Sequence, residues 1–191
     1  MGIGFHSAPP DQIRMNLTEG RSEATGRALD VAIQGDGFLA VKEVGGTGRV
    51  GYTRNGYFFM NQLGELVVGM GDGYRLQPPI ILPPTATNVS IGLDGTVQYK
   101  PASSATRQNG GQIKLTLFRN PEQLRAMGEG LWTATEASGP PATMQPGTGG
   151  AGEILSGYRE SSNVNVTVES ARLHSLDEWR AALLHAAGVQ G

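Results

Sequence analysis

Three groups of residues in this sequence have side chains or spacing that chemistry could use. The first is the glycine-rich run at residues 69–73, which is similar to a phosphate-binding loop but lacks the Gly-Lys-Ser/Thr ending and a following helix pattern. The second is a set of three histidines, none of which has a partner at the spacing of the His-Glu-x-x-His zinc motif. These are His6, His174 and His185. We therefore predict a turn at residues 69–73 and no metal site.

The aspartates form the third group, because paired carboxylates can act as general acid and base. The candidates are Asp30, Asp36, Asp72 and Asp94, and three of them adjoin glycine, where aspartate commonly hydrogen-bonds the backbone of a turn. The sequence has no Gly-x-Ser-x-Gly elbow for a serine nucleophile and no cysteine. These patterns predict a protein that is not an enzyme and that holds no cofactor.

The composition excludes several further classes of function. The net charge is −2 and no basic block exceeds two residues, so the sequence indicates no nucleic-acid-binding surface. No apolar stretch is long enough for a transmembrane helix, and the first residues lack the basic and apolar regions of a cleaved secretion signal. We therefore expect no membrane insertion, and we expect any export to occur without a cleaved signal.

Short apolar runs separated by turn residues predict a mainly β fold, in the form of an antiparallel β-domain of short strands. The dipeptide Asn55-Gly56 favours the positive φ angles of a type I′ turn, so a hairpin is predicted at residues 54–57. A second hairpin is predicted at Asp94-Gly95. Residues 121–127 are consistent with a single helical turn. Residues 137–152 are rich in Gly, Pro, Ser and Thr, and they predict a long surface loop.

Both ends of the chain differ from this pattern. Residues 1–28 are polar, with isolated apolar residues at two-residue spacing, which predicts an extended arm that packs on another element or on a partner. Near the other end, Ser175 followed by Glu178 forms a capping box, and apolar residues at helical spacing follow it. We therefore divide the chain into an extended arm (1–28), a β-domain (29–160) and a final segment with a short C-terminal amphipathic helix (161–191).

Several segments, in the family's order, resemble the rod and hook proteins of the bacterial flagellum. They are residues 25–38, 52–58, 91–97, 117–131 and 160–166, and the resemblance covers about residues 17–169. Residues 135–139 and 149–152 are most similar to the distal rod type within that family, and the proximal rod paralogue is the alternative. No counterpart of the family's N-terminal core helix is found, so we expect the chain to keep the outer domain without completing the inner tube.

The resemblance implies a structural subunit that stacks helically into a hollow rod, which crosses the periplasm and transmits torque. It also implies that the partners are copies of the same chain and other rod and hook proteins, with ring proteins around the rod as further candidates. Its location would be the flagellar basal body. The rival hypothesis is a β-module that binds carbohydrate or peptide through its glycine-rich loops. Such a module would need clustered exposed aromatic residues, and only 6% of the residues are aromatic.

In that family, two segments flank the outer domain at the points where the chain leaves and re-enters the core of the tube. The resemblance places them here at residues 29–38, the N-terminal junction, and residues 160–166, the C-terminal junction. We expect both to act as the structural hinge between the outer domain and the core. The residues predicted to carry this role are Leu29, Asp30, Ala32, Ile33, Gly35, Gly37, Phe38, Ser162, Asn163, Val164 and Asn165.

Overall fold

The computed structural model describes residues 20–43, 48–69 and 73–161. Within them it contains sixteen short strands and one short 3-10 helix, which confirms the predicted mainly antiparallel β fold. The predicted C-terminal helix lies outside the described residues, as does most of the predicted arm. The strands are β1 Ser22–Ala24, β2 Val31–Gln34, β3 Leu39–Glu43, β4 Val50–Thr53, β5 Phe58–Met60, β6 Leu66–Val68, β7 Tyr74–Leu76, β8 Ala86–Ile91, β9 Thr96–Pro101, β10 Gln108–Gln112, β11 Leu115–Leu117, β12 Arg125–Gly128, β13 Leu131–Thr133, β14 Ala142–Met144, β15 Glu153–Ser156 and β16 Tyr158–Glu160.

A seven-stranded antiparallel sheet is the largest element, with the strand order β12-β13-β4-β3-β7-β6-β5. Alternate side chains of a strand point to opposite faces of a sheet. The side chains of the central strand β3 are buried on both faces, each in a different hydrophobic cluster. Leu39 and Val41 join the main hydrophobic cluster, whereas Ala40 joins Phe38, Tyr52 and a leucine in a second cluster. The sheet therefore separates two hydrophobic cores.

The remaining strands form smaller antiparallel sheets around the main cluster. These are β8-β9-β10, β11-β14, β2-β15 and β1-β16. Strands β2 and β11 contribute fully buried side chains such as Val31, Ile33 and Leu115 to that cluster. The hairpin predicted at Asp94-Gly95 is confirmed, since β8 and β9 pair on either side of it.

The hairpin predicted at residues 54–57 is wrong. Strand β4 pairs on one side with β3 and on the other with β13, so it has no open edge for β5, which pairs with β6. Gly56 does not have the positive φ angle of a type I′ turn. The side chains of Thr53 and Asn55 instead accept the N–H groups of Asn55 and Tyr57, which turns the chain toward β2.

Two further predictions need correction. The segment 137–152 is not wholly a loop, because β14 lies within it and pairs with β11, and Ser138 is fully buried there. The helical turn predicted at residues 121–127 is shorter than expected. A 3-10 helix spans Pro121–Gln123, and strand β12 begins at Arg125. Strand pairing outweighed local sequence pattern in both cases, with the distant strand β11 for β14 and with the neighbouring strand β13 for β12.

Candidate functional site: the two junctions of the β-domain

The strands at and before the N-terminal junction pair with the strands that lead up to the C-terminal junction. Strand β1 pairs with β16, placing Ser22 opposite Glu160 and Ala24 opposite Tyr158. Strand β2 pairs with β15, placing Val31 opposite Ser156. Both ladders are antiparallel. The chain therefore leaves the described β-domain beside the point at which it came in.

The N-terminal junction is held by apolar burial and by a turn that requires glycine. Val31, Ala32 and Ile33 are buried on both faces of β2, and Phe38 is buried in the second cluster. Between them lies the glycine turn (residues 35–37), where Gly35 and Gly37 have φ angles of 97° and 134°. These angles are strained for any residue with a side chain. A Cβ atom on Gly37 would also lie only 3.1 Å from Leu115 Cβ.

Asp30 anchors the start of this junction. It is 2% exposed, and its Oδ1 accepts a hydrogen bond of 2.8 Å from the Arg27 guanidinium. The same guanidinium lies over the Tyr57 ring, 4.5 Å from its centre, in a cation–π contact. The main-chain oxygen of Asp30 accepts the N–H of Gly157, which precedes β16. One aspartate thus ties the N-terminal junction to the residue before β16, and its carboxylate forms an ion pair with the neighbouring arginine.

Arg54 is a second joint between the junctions. Its Nη2 donates to the carbonyl of Ile33 at 2.8 Å. Its Nη1 donates to the carbonyls of Gly35 at 3.0 Å and Gly37 at 3.2 Å. Its Nε donates to Glu160 Oε2 at 2.9 Å. The guanidinium therefore contacts the N-terminal junction three times and the first residue of the C-terminal junction once.

The structure brings together the predicted residues of the N-terminal junction. Leu29 packs at the edge of the main cluster, and the other predicted residues of 29–38 run from Asp30, just before β2, through β2 and the glycine turn to Phe38. Ser162, Asn163, Val164 and Asn165 lie outside the described residues, so their role remains a prediction. Sequence reasoning missed Arg54 as a joint, and it included Glu160 in the predicted C-terminal junction without singling it out. Arg54 stood inside the segment 52–58 that resembled the family, but that segment was interpreted only as a hairpin.

An open groove of about 520 Å³ lies beside the glycine turn. Its walls include Phe38, Phe118 and Arg119. The Phe118 ring packs edge-on against Tyr52 at 4.8 Å and against Phe38 at 6.0 Å. These aromatic rings pack against one another in the second cluster, so the groove wall is part of the domain's packing.

The pKa shifts in the described residues have local structural causes. Burial raises the pKa of the Tyr52 phenol. Burial and a hydrogen bond to Glu129 raise the pKa of Tyr74. The hydroxyl and then the N–H of Thr96 lower the pKa of the exposed Asp94 carboxyl, in the turn between β8 and β9. Each shift follows from packing or turn chemistry, and none of these three groups lines the glycine turn.

Residues 20–43, 48–69 and 73–161 lack two other kinds of site. No three histidine, cysteine or acidic side chains there come together in a way that could hold a metal ion. Nor does that part of the chain contain a helix with the length and apolar character to span a membrane.

Residues 32–99, from β2 into β9, match the family described as the flagellar hook protein FlgE/F/G D1 domain. Residues 32–99 are therefore similar to the D1 domain of these flagellar proteins. The resemblance predicted from the sequence is confirmed.

The similar curated proteins are basal-body rod proteins. FlgG of Buchnera aphidicola subsp. Schizaphis graminum is 37% identical over 169 residues, which are 88% of this chain and 62% of that protein. FlgG of Bacillus subtilis is 38% identical over 174 residues, with the same two shares. FlgF of Escherichia coli is 33% identical over 156 residues, 78% of this chain and 59% of that protein. The chain thus spans about three fifths of the length of these relatives. Their names are those of rod proteins rather than enzymes, in agreement with the prediction from the sequence.

Proposed function

We propose that this chain is a structural subunit of the distal rod of the flagellar basal body. In this role, copies assemble helically into a hollow shaft that transmits torque across the periplasm. The similarity to FlgG proteins supports this proposal. The structural observation that carries it is the pairing of β1 with β16, because a domain inserted into a longer core element must receive and return the chain at one place.

The physics of such an assembly is that of a repeated interface. An interface between two different surfaces of the same subunit, when its rotation does not close a ring, generates an open helix. The partners would be further copies of the chain and the adjoining rod and hook proteins, with ring proteins around the rod as further candidates. The location would be the basal body, reached by export without a cleaved signal. The FlgE/F/G family match supports this set of partners.

The two junctions would carry the load between the β-domain and the rest of the subunit. Within the N-terminal junction, the role falls to Leu29, Asp30, Ala32, Ile33, Gly35, Gly37 and Phe38. Within the C-terminal junction, it falls to Ser162, Asn163, Val164 and Asn165. The burial of β2 and the interlocking of Asp30 with Gly157 support the first set. The second set rests on the resemblance alone.

The test is deletion of the gene in the bacterium that encodes it, followed by electron cryomicroscopy of purified basal bodies. We expect a rod that stops short and carries no hook, and we expect the native gene on a plasmid to restore both. A complete rod and hook in the deletion strain would overturn the proposal. A strain that swims normally would lead to the same conclusion.

A proximal rod subunit is the second candidate, and the similarity to E. coli FlgF favours it. The same images separate the two candidates. A distal subunit leaves a remnant rod of substantial length above the inner membrane, whereas loss of a proximal subunit leaves a shorter remnant. The length of the remnant therefore decides between them.

A further inference from the structure

The surroundings of Arg54 suggest a role beyond ordinary packing. Its two terminal nitrogens donate to three main-chain carbonyls, those of Ile33, Gly35 and Gly37. These carbonyls belong to every second residue of one segment. The positive φ angles at Gly35 and Gly37 bend the chain around the guanidinium. A planar guanidinium presents several donors in a fixed fork, whereas a lysine ammonium is a single point of charge. The site is therefore matched to arginine.

Glu160 extends this network to the other junction. Its Oε2 accepts from Arg54 Nε at 2.9 Å, and its Oε1 accepts the N–H of Gly20 at 3.0 Å. The Arg54 and Glu160 side chains are 22% and 16% exposed. Hydrogen bonds between ionised groups are about twice as strong as those between neutral groups. A continuous chain of bonds thus runs from the glycine turn through Arg54 and Glu160 to Gly20, two residues before β1.

The ladder of β1 and β16 has few other means of staying in place. Every residue of β1 is exposed, and β16 has no fully buried residue, so the ladder has little apolar burial of its own. An isolated two-stranded ribbon is marginally stable in water. It is tied to the N-terminal junction at one end through Gly157 and Asp30, and at the other end through Glu160 and Arg54.

We propose that Arg54 is a positioning residue that locks the β1–β16 ladder to the glycine turn, so that the chain enters and leaves the β-domain as one stiff unit. The lock is a property of the folded subunit by itself. Its use in a shaft under torque rests on the proposed function, because a soft joint between the β-domain and the core would absorb rotation instead of transmitting it.

The test is hydrogen exchange, followed by mass spectrometry, on the purified chain with Arg54→Gln. We expect the amides of β1 and β16 to exchange at least tenfold faster than in the native chain, which corresponds to about 1.4 kcal/mol of lost local stability. The amides of β6, in the seven-stranded sheet, should keep their protection. Unchanged exchange in β1 and β16 would overturn the proposal. So would a native ladder that already exchanges as fast as an unstructured peptide.

The matched control is Arg75→Gln. Arg75 also pairs with a buried carboxylate, Glu65, at 3.2 Å, but it lies in β7 of the seven-stranded sheet and this ion pair involves no junction residue. It should leave the β1–β16 ladder unaffected, and equal loosening of the ladder by both variants would overturn the specific role of Arg54.

Two milder variants keep the proposal testable when Arg54→Gln does not fold. Glu160→Gln removes the charge of the partner but retains an acceptor, and Arg54→Lys retains the charge but loses the fork. Both should loosen β1 and β16 ahead of β6. A ladder that stays as protected as in the native chain in both variants would overturn the proposal. Because exchange is measured on the unassembled subunit, failure here is distinct from failure of the rod hypothesis.

Discussion

Replacement of Gly56 by alanine tests how tightly the chain crosses the N-terminal junction. The backbone of Gly56 lies directly against Val31, which is fully buried in β2. A Cβ atom on Gly56 would overlap the carbonyl oxygen of Val31 and would lie 2.8 Å from its carbonyl carbon. Neither atom belongs to a flexible side-chain end. The two segments must therefore move apart to admit a single methyl group.

The cost of that movement follows from the bonds that hold the crossing. Val31 N–H donates to the carbonyl of Gly56 at 2.9 Å, and Phe58 N–H donates to the carbonyl of Leu29 at 3.1 Å. Overpacking of a close-packed core costs about 1–3 kcal/mol. Each hydrogen bond contributes about 0.5–1.5 kcal/mol net. We therefore expect Gly56→Ala to lower the free energy of unfolding by about 2–6 kcal/mol.

The measurement is urea unfolding of the purified chain, monitored by circular dichroism. With a denaturant slope of about 2 kcal/mol per molar, the midpoint should fall by about 2 M. The control is Gly51→Ala in β4, where the new Cβ would lie 3.3 Å from Leu131 Cδ2, the movable end of a side chain. That variant should cost less than about 1 kcal/mol. Equal midpoints for the two variants would refute the reasoning.

Three further predictions concern other parts of the domain. Burial raises the pKa of Tyr52 above its ordinary value of 10.0, so its contribution to stability is complete below that pH and is lost as the pH rises through the folded pKa. Tyr52→Phe should flatten this alkaline loss in a pH series of urea midpoints, and an unchanged alkaline slope would contradict the assignment. The pKa of Asp94 is lowered by its hydrogen bonds from Thr96. The stability that its ionised carboxylate contributes is therefore present above the ordinary aspartate pKa and is lost as the pH falls through the lowered pKa. Asp94→Ala should remove this part of the loss of stability at acid pH. Urea midpoints that fall identically with acid pH in the native chain and in the variant would contradict this prediction. In the β5–β6 hairpin, Leu66→Ala should cost about 2–5 kcal/mol because Leu66 is fully buried, whereas Leu63→Ala, at a side chain 70% exposed, should stay within about 0.5 kcal/mol. Comparable urea midpoints for these two variants would show that the burial of the hairpin is misassigned.

Much of the β-domain could be predicted from local pattern. The turn at Asp94-Gly95 lies between two apolar runs that pair directly with each other, so the sequence signal and the tertiary contact coincide. The strand at residues 31–33 and the glycine turn also agree with local pattern, because an apolar run followed by glycines favours a strand and a turn. The resemblance to the rod and hook family could be recognised from the sequence for the same reason, because the family's motifs are short and contiguous.

What could not be predicted depends on pairing between distant parts of the chain. Strand β14 joins β11, which precedes it by more than twenty residues, and the segment around it has the composition of a loop. Nothing local distinguishes such a strand from a true loop, because its stability comes from the partner rather than from its own residues. The dipeptide Asn55-Gly56 caused the opposite error, because it predicted a local hairpin that does not form. It has the composition of a tight turn, but Gly56 is needed for close approach to Val31.

Arg54 shows why a joint of this kind escapes sequence reasoning. An exposed-looking arginine next to Asn-Gly has an ordinary local explanation as a polar turn residue. Its partners are Ile33, at a separation of 21 residues, and Glu160, at a separation of 106. A residue that holds two remote segments together must be compatible with both, and neither segment's own pattern records it. Long-range contacts such as those of Arg54 are therefore what local prediction misses in this fold, whereas the strand and the glycine turn that they join could be predicted.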